Sequence, residues 1–371
     1  MSLQQAAHAA LAGRNRRLLF AVIAAILIAT FSVSCGGSSK SKATHNAYVT
    51  LPQLGAVALL HINDTSGQIS SVSQTSPVLG TSPVGLALHP SKKFLYVANS
   101  DANTVSIFNV AGDGTLTQTG NTAATGSGPR AAAIDPSGKF LLVTNNLTND
   151  ISVFSIDSGS GALTEVSGSR FPAGASPTDL RITPSGKFVY VANPNSGLIL
   201  GFSLGADGTL TSLGTPFSAR AGVAGIAIDA GEHFLYTANA TDGSVSAFTI
   251  DSAGALHSIP GSPYPAATAP RGIGIDPATK FLYVANQGSN NISGFTIAAD
   301  GQLTGMATAV TGVTSPVFLF AEPAGTFIYA GNQTGNGISS YSYDATTGAL
   351  TAVSGSPFSI GSPPGAMVVS H

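Results

Sequence analysis

A chain of 371 residues has room for two or three ordinary domains, but repeat folds fill that length as one unit, so length excludes little. Charged residues are only 9% and apolar ones 43%, with 44 Gly, 21 Pro and no Trp, a balance of strand and turn formers that speaks against a helical protein. The formal net charge of −2, with 15 Lys and Arg scattered along the chain, leaves no basic stripe and excludes nucleic acid as an expected partner.

Arg14, Arg16 and Arg17 precede the uncharged run LLFAVIAAILIATFSV at 18–33, the pattern of an export signal. At about 16 residues the run falls short of the roughly 20 that span a bilayer, so a retained membrane anchor is the second reading. Cys35 is the only cysteine, and Ser32-Val33-Ser34-Cys35-Gly36 resembles a bacterial lipobox, departing from it at Ser32, where Leu is usual. The expected organisation is a lipoprotein signal over 1–35 ending at a lipidated Cys35, a flexible tether over 36–45 (GGSSKSKATH), and one repeat domain over 46–371. The protein is then exported and lipid-anchored in the bacterial cell envelope, on the periplasmic or the outer surface. A single cysteine also means no disulfide framework, so stability rests on the core.

From residue 94 onward the phrase KFLYVAN recurs in varied form, its Phe standing at Phe94, Phe140, Phe188, Phe234, Phe281 and Phe327, steps of 46 to 48 residues. That is the period of a four-stranded propeller blade. Each copy carries an alternating strand a, the FLYVAN strand b, a strand c ending in an aromatic (Phe108, Phe154, Phe202, Phe248, Phe295, Tyr341) and a strand d such as Gly114-Thr115-Leu116-Thr117. The aromatics read as packing between sheets. Asp-Pro-Ser-Gly at 135–138 reads as a type I turn with a following bulge. Before the first full copy lies a fragment with strands b, c and d but no strand a, and after the last copy GAMVVS at 365–370 supplies a strand a and the chain stops. Joined, the two fragments complete a blade. The predicted fold is therefore an all-β seven-bladed β-propeller closed by pairing of N- and C-terminal strands.

Alternation along strand a divides it into two faces. Leu86 and Leu88 with their equivalents are assigned to packing against neighbouring blades. The other face, Gly85 and Ala87 with their equivalents, is assigned to the channel, where only Asp179 and Arg181 bring charge and where Phe318 and Phe320 form a plug. Asp179 and Arg181 read as a structural ion pair or as ligand-binding groups. At the entrance to strand a, Arg130 and Arg271 each follow a Pro and share one register position, counted as two blades apart with Asp179 between them. They read either as two guanidinium forks for a carboxylate or phosphate or as solvated loop residues. Past the signal, the histidines His45, His61, His89, His233, His257 and His371 show no pair at metal-ligand spacing, and no GxSxG, phosphate loop or HExxH is present, so neither a metal nor a cofactor is expected and no catalytic residue is assigned.

The repeats resemble the YVTN-type propeller repeat, and the whole mature chain is similar to the bacterial seven-bladed lactonase family, which includes 6-phosphogluconolactonase-like proteins. The match is best at 126–147, GSGPRAAAIDPSGKFLLVTNNL, and again at Arg271 in APRGIGIDP and at Asn286-Gln287. That family has Arg-His after Gly-Pro and Asn-Glu-Leu after strand b. Here Arg130 keeps the arginine, while Ala131 stands in place of the His and Asn146 in place of the Glu. The resemblance implies a hydrolase acting on a sugar or other acidic lactone held by Arg130 and Arg271, with Asp179 or Arg181 beneath. The missing acid/base pair implies the alternative, a non-catalytic surface propeller that binds a glycan, a peptide or an envelope protein.

Overall fold

A computed structural model describes residues 44–74, 81–306, 310–323 and 325–370. The expected signal, Cys35 and most of the expected tether lie outside the described residues. Seven antiparallel sheets follow one another along the chain. Their innermost strands are Pro83–Leu88 in blade 1, Pro129–Ile134 in blade 2, Asp179–Ile182 in blade 3, Val223–Ile228 in blade 4, Pro270–Ile275 in blade 5, Pro316–Ala321 in blade 6 and Met367–Ser370 in blade 7. Blade 7 takes its other three strands, Thr44–Leu51, Ala56–Asn63 and Ile69–Gln74, from the opposite end of the chain. Asn46 pairs with Ser370 and Val49 with Met367, which closes the ring as expected. Thr44 and His45, placed in the expected tether, are strand residues, and the imidazole of His45 is buried between Asp64 (2.6 Å) and Glu322 of blade 6 (3.1 Å).

Strand d differs in detail from its expected position. Gly114 belongs to the c–d turn, with φ of 89°, and the strand itself is Leu116–Ala124. In blade 7, Gly67 likewise is a turn residue, at φ 66°. In blades 2 to 6 strand d is split into two short pieces along one strand c, as with Leu163–Glu165 and Phe171–Pro172.

The packing explains the repeated phrase. Seven apolar clusters fill the seven spaces between adjacent blades, so each sheet buries both faces. Strand b is accordingly buried almost throughout, with Tyr96 and Val97 at 0% exposure in opposite clusters. Its tyrosine reaches forward: the hydroxyls of Tyr48, Tyr96, Tyr190, Tyr236 and Tyr283 donate to the carbonyls of Gly114, Gly161, Gly254, Gly301 and Gly348 in the next blade, at 2.7–2.9 Å. The ring of Phe94 lies against the same Gly161, within 2.5 Å of where a Cβ would stand, and Gly161 has φ of 71°. Only Gly meets both demands. The terminal Asn of the phrase is buried and donates sideways to strand c, as Asn145 does to Ser152 (2.9 Å) and Asp150 (2.6 Å).

Two-sided burial blurs the expected division of strand a. Leu86 does pack on blade 7, beside Tyr48 and Val57. Ala87, assigned to the channel, does line it but packs also on Ala132 and Ile134 of blade 2, and Leu86 and Leu88, assigned to packing alone, line the channel too. A Cβ on Gly85 would collide with the Arg130 carbonyl, and one on Gly272 would stand 2.5 Å from Phe318 Cα. Blades stack face to face, so side chains of strand a turn toward one neighbour or the other. The channel is bounded by the free edges of the inner strands.

Candidate active site at the channel mouth

The channel holds about 870 Å³ and is lined from all seven blades. Its mouth is built by a recurring device at the start of strand a. A residue with left-handed backbone precedes the strand, as Gly128 (φ 67°) and Ala269 (φ 53°) do, and its carbonyl accepts the N–H of the residue just after strand b, Asn146 (2.8 Å) or Gln287 (2.9 Å). The loop entering strand a is thereby tied to the loop leaving strand b. The ladder then slips: between Pro270 and Gly272 in blade 5, and between Pro129 and Ala132 in blade 2. A bulge of this kind re-aims the unpaired residue. Arg271 is the bulged residue of blade 5, and Arg130 lies in the slip of blade 2, which Ala131 widens by donating its N–H to Thr144 Oγ1 (3.0 Å).

Both arginines are exposed in the channel lining. Neither guanidinium has an ion-pair or hydrogen-bond partner among the described residues. Desolvation by the surrounding wall, and then the positive charge of Arg271, hold the Arg130 guanidinium below its usual pKa. The two cations thus sense each other across the opening. Their blades are three steps apart rather than two, with blades 3 and 4 between them.

Asp179 and Arg181 line the same channel but are engaged by the neighbouring blade. The Asp179 carboxylate accepts the Ile226 N–H (2.9 Å), and Arg181 Nε donates to the Ile226 carbonyl (3.0 Å). Together they cap the free edge of the inner strand of blade 4 as another strand would, 3.5 Å from each other. Asn146 Nδ2 donates to the Pro177 carbonyl (3.4 Å), and Gln287 donates to Gln333 (2.7 Å), linking the rims of blades 5 and 6. Gln53, Thr241 and Gln333 also line the mouth, although the sequence reading passed over them. The signal was there: they stand one or two residues after strand b, as Asn146 and Gln287 do.

The family profile described as "Lactonase, 7-bladed beta-propeller" matches residues 40–175, 167–260, 208–319 and 256–368. The chain belongs to that family. No curated protein matches the sequence. Among solved structures, this lactonase-family propeller is similar to a candidate 6-phosphogluconolactonase from Bacteroides fragilis, with 23% identity, a TM-score of 0.78 and coverage of 90% of this chain and 99% of that one. It is also similar to the periplasmic gluconolactonase of Pseudomonas aeruginosa, at 16% identity and TM-score 0.72, over 89% of this chain and 99% of that one. A protein from Lactobacillus plantarum gives 18% identity and TM-score 0.75, over 89% and 100%. At these identities the likeness is one of fold. The residues of the lactonase-family mouth have to carry the rest.

Proposed function

We propose that this lactonase-family propeller takes an anionic lactone, derived from a sugar or another hydroxy acid, or the open acid itself, at the mouth between Arg130 and Arg271. The observation that carries this reading is the convergence of two unpartnered guanidinium groups on one concave opening. Two such cations repel each other, and a bound carboxylate or phosphate relieves the repulsion while filling both forks. The same positive field polarises a lactone carbonyl toward the developing oxyanion. Water adds to the carbonyl carbon, the ring C–O bond breaks, and the proton ends on the released hydroxyl, giving a hydroxy acid.

Capture without turnover is the second reading, and one observation favours it. The lining contains no His or Glu among the described residues, and its one carboxylate, Asp179, is held by Ile226 and Arg181. A general base contributes about 10²–10⁴-fold, which this mouth would forgo. The Arg130→Ala/Arg271→Ala double variant is expected to lose at least about tenfold in affinity for carboxylate-bearing lactones and acids, and Arg→Lys at either site to weaken binding although charge is kept. Unchanged affinity removes the site. On a lactone panel, hydrolysis above background that vanishes in the double variant supports turnover, and binding with no hydrolysis supports capture.

Membrane attachment through Cys35 completes the proposal, supported by the basic segment, the apolar run and the lipobox-like sequence. Among the described residues no helix is long and apolar enough to cross a membrane. Cys35→Ser is expected to leave the membrane fraction with an unchanged melting temperature. Wild-type protein that is freely soluble and carries no lipid mass on its N-terminus overturns the assignment.

A further inference from the structure

The channel wall has two chemically distinct sides. Blades 2, 3 and 5 contribute Arg130, Asp179, Arg181 and Arg271. Blades 6, 7 and 1, which are contiguous around the ring, contribute Phe318, Phe320, Met367, Val368, Leu86 and Leu88, with no charged group among them. At the bulge position itself, Arg130, Thr178, Ala224 and Arg271 stand on one side and Val317 and Val84 on the other.

The apolar side is built, not incidental. Phe318 pairs in register with Gly331, and its ring fills the space in which a Cβ at that position would stand. Four other blades have alanine there, Ala98, Ala192, Ala238 and Ala285, so blade 6 forgoes a side chain to seat an aromatic ring. Phe318, Phe320 and Met367 remain only half-buried against the cluster between blades 6 and 7, and each presents its remaining surface to the channel. Partly exposed aromatic surface facing a concave site, opposite fixed charge, favours a ligand that covers it.

Resting on the reading that Arg130 and Arg271 hold an anion, we infer that the ligand is amphiphilic: a carboxylate or phosphate joined to an aliphatic or aryl body, not a fully hydroxylated sugar acid. The charged end sits between the arginines and the apolar body lies across the channel on Phe318 and Phe320.

Two probes of equal charge decide the matter, octanoate and gluconate, titrated by calorimetry into the purified propeller. Octanoate is expected to bind at least about tenfold more tightly, since its CH₂ groups leave water on binding. Phe318→Ala and, separately, Phe320→Ser are expected to erase most of that preference and to leave gluconate affinity unchanged. The Arg130→Ala/Arg271→Ala variant is expected to weaken both probes. Equal binding of the two probes by wild type, or tighter binding of gluconate, with both still dependent on the arginines, overturns the amphiphile and leaves the anion site standing. Binding of both probes that ignores the arginines overturns the anion site and this inference with it.

Discussion

At Tyr96 a single hydroxyl ties two blades together. It donates to the Gly161 carbonyl from a fully buried position, and each buried copy of this bond crosses a blade boundary. Burial, and then the charge of Asp113, push the hydroxyl of its counterpart Tyr48 up to about 12, so it remains a donor across the physiological range. Tyr96→Phe leaves the Gly161 carbonyl unsatisfied and is expected to cost about 1–2 kcal/mol in denaturant unfolding, with no change of fold. Gly161→Ala should cost more, because the new Cβ meets the Phe94 ring and the backbone is left-handed. Equal costs for the two variants would show that the hydroxyl, and not the ring contact, dominates the latch. The tyrosine and the glycine were both visible in the repeat, 65 residues apart, but nothing local says that they touch. Arg130 and Arg271 were visible for a different reason: a charged residue after Pro at a register position otherwise held by Val, Ala, Thr or Gly stands out in so uncharged a chain.

At the scale of the strand, what was legible followed from local rules. Strand b, its period and the completion of one blade by the two chain ends come from repetition and alternation, and the register of Asn46 with Ser370 agrees. Which way strand a faces was not legible, because alternation tells two faces apart without saying whether one or both are buried. Gly85 and Ala87 do line the channel, and their small size answers also to the close approach of blade 2. The engagement of Asp179 and Arg181 with Ile226 was likewise hidden, since it depends on the free edge of another blade. Deleting 365–371 removes the strand paired to Asn46–Val49 and uncovers Ala47 and Val49 on one face and Tyr48 on the other. The truncated chain is expected to melt far below wild type and to gain binding of a hydrophobic dye, and an unchanged melting curve would mean that the ring closes by packing alone.

Across the whole molecule, five c–d turns share an acid-sensitive design. Asp113, Asp157, Asp207, Asp251 and Asp344 are held below the usual carboxylate range, chiefly by hydrogen bonds from Thr115, Ser160, Thr209, His257 and Thr347 respectively. A carboxyl depressed by folding stabilises the native state at pH above its unfolded value, near 4, and that contribution is lost as pH falls through the lower folded value. All five are solvent-exposed, so each contribution is small, but they are lost in the same window. The melting temperature is expected to fall between about pH 4 and pH 2, and to fall less in an Asp113→Asn/Asp344→Asn variant. A parallel decline in the two proteins would place acid sensitivity elsewhere. The closing strand has a consequence in time as well as in energy. Asn46 and Ser370 are 324 positions apart (370 − 46), whereas the other strand pairs form within single repeats. Contacts so distant in sequence form late, so the chain passes through an open arc of six blades with the three N-terminal strands of blade 7 beside blade 1. Until Met367–Ser370 pairs, the arc leaves Phe327 and Tyr329 of blade 6 and Ala47 and Val49 of the N-terminal strands without each other, as apolar surface open to other chains. Pairing of Met367–Ser370 with Asn46–Val49 therefore sets how long those two faces stay wet.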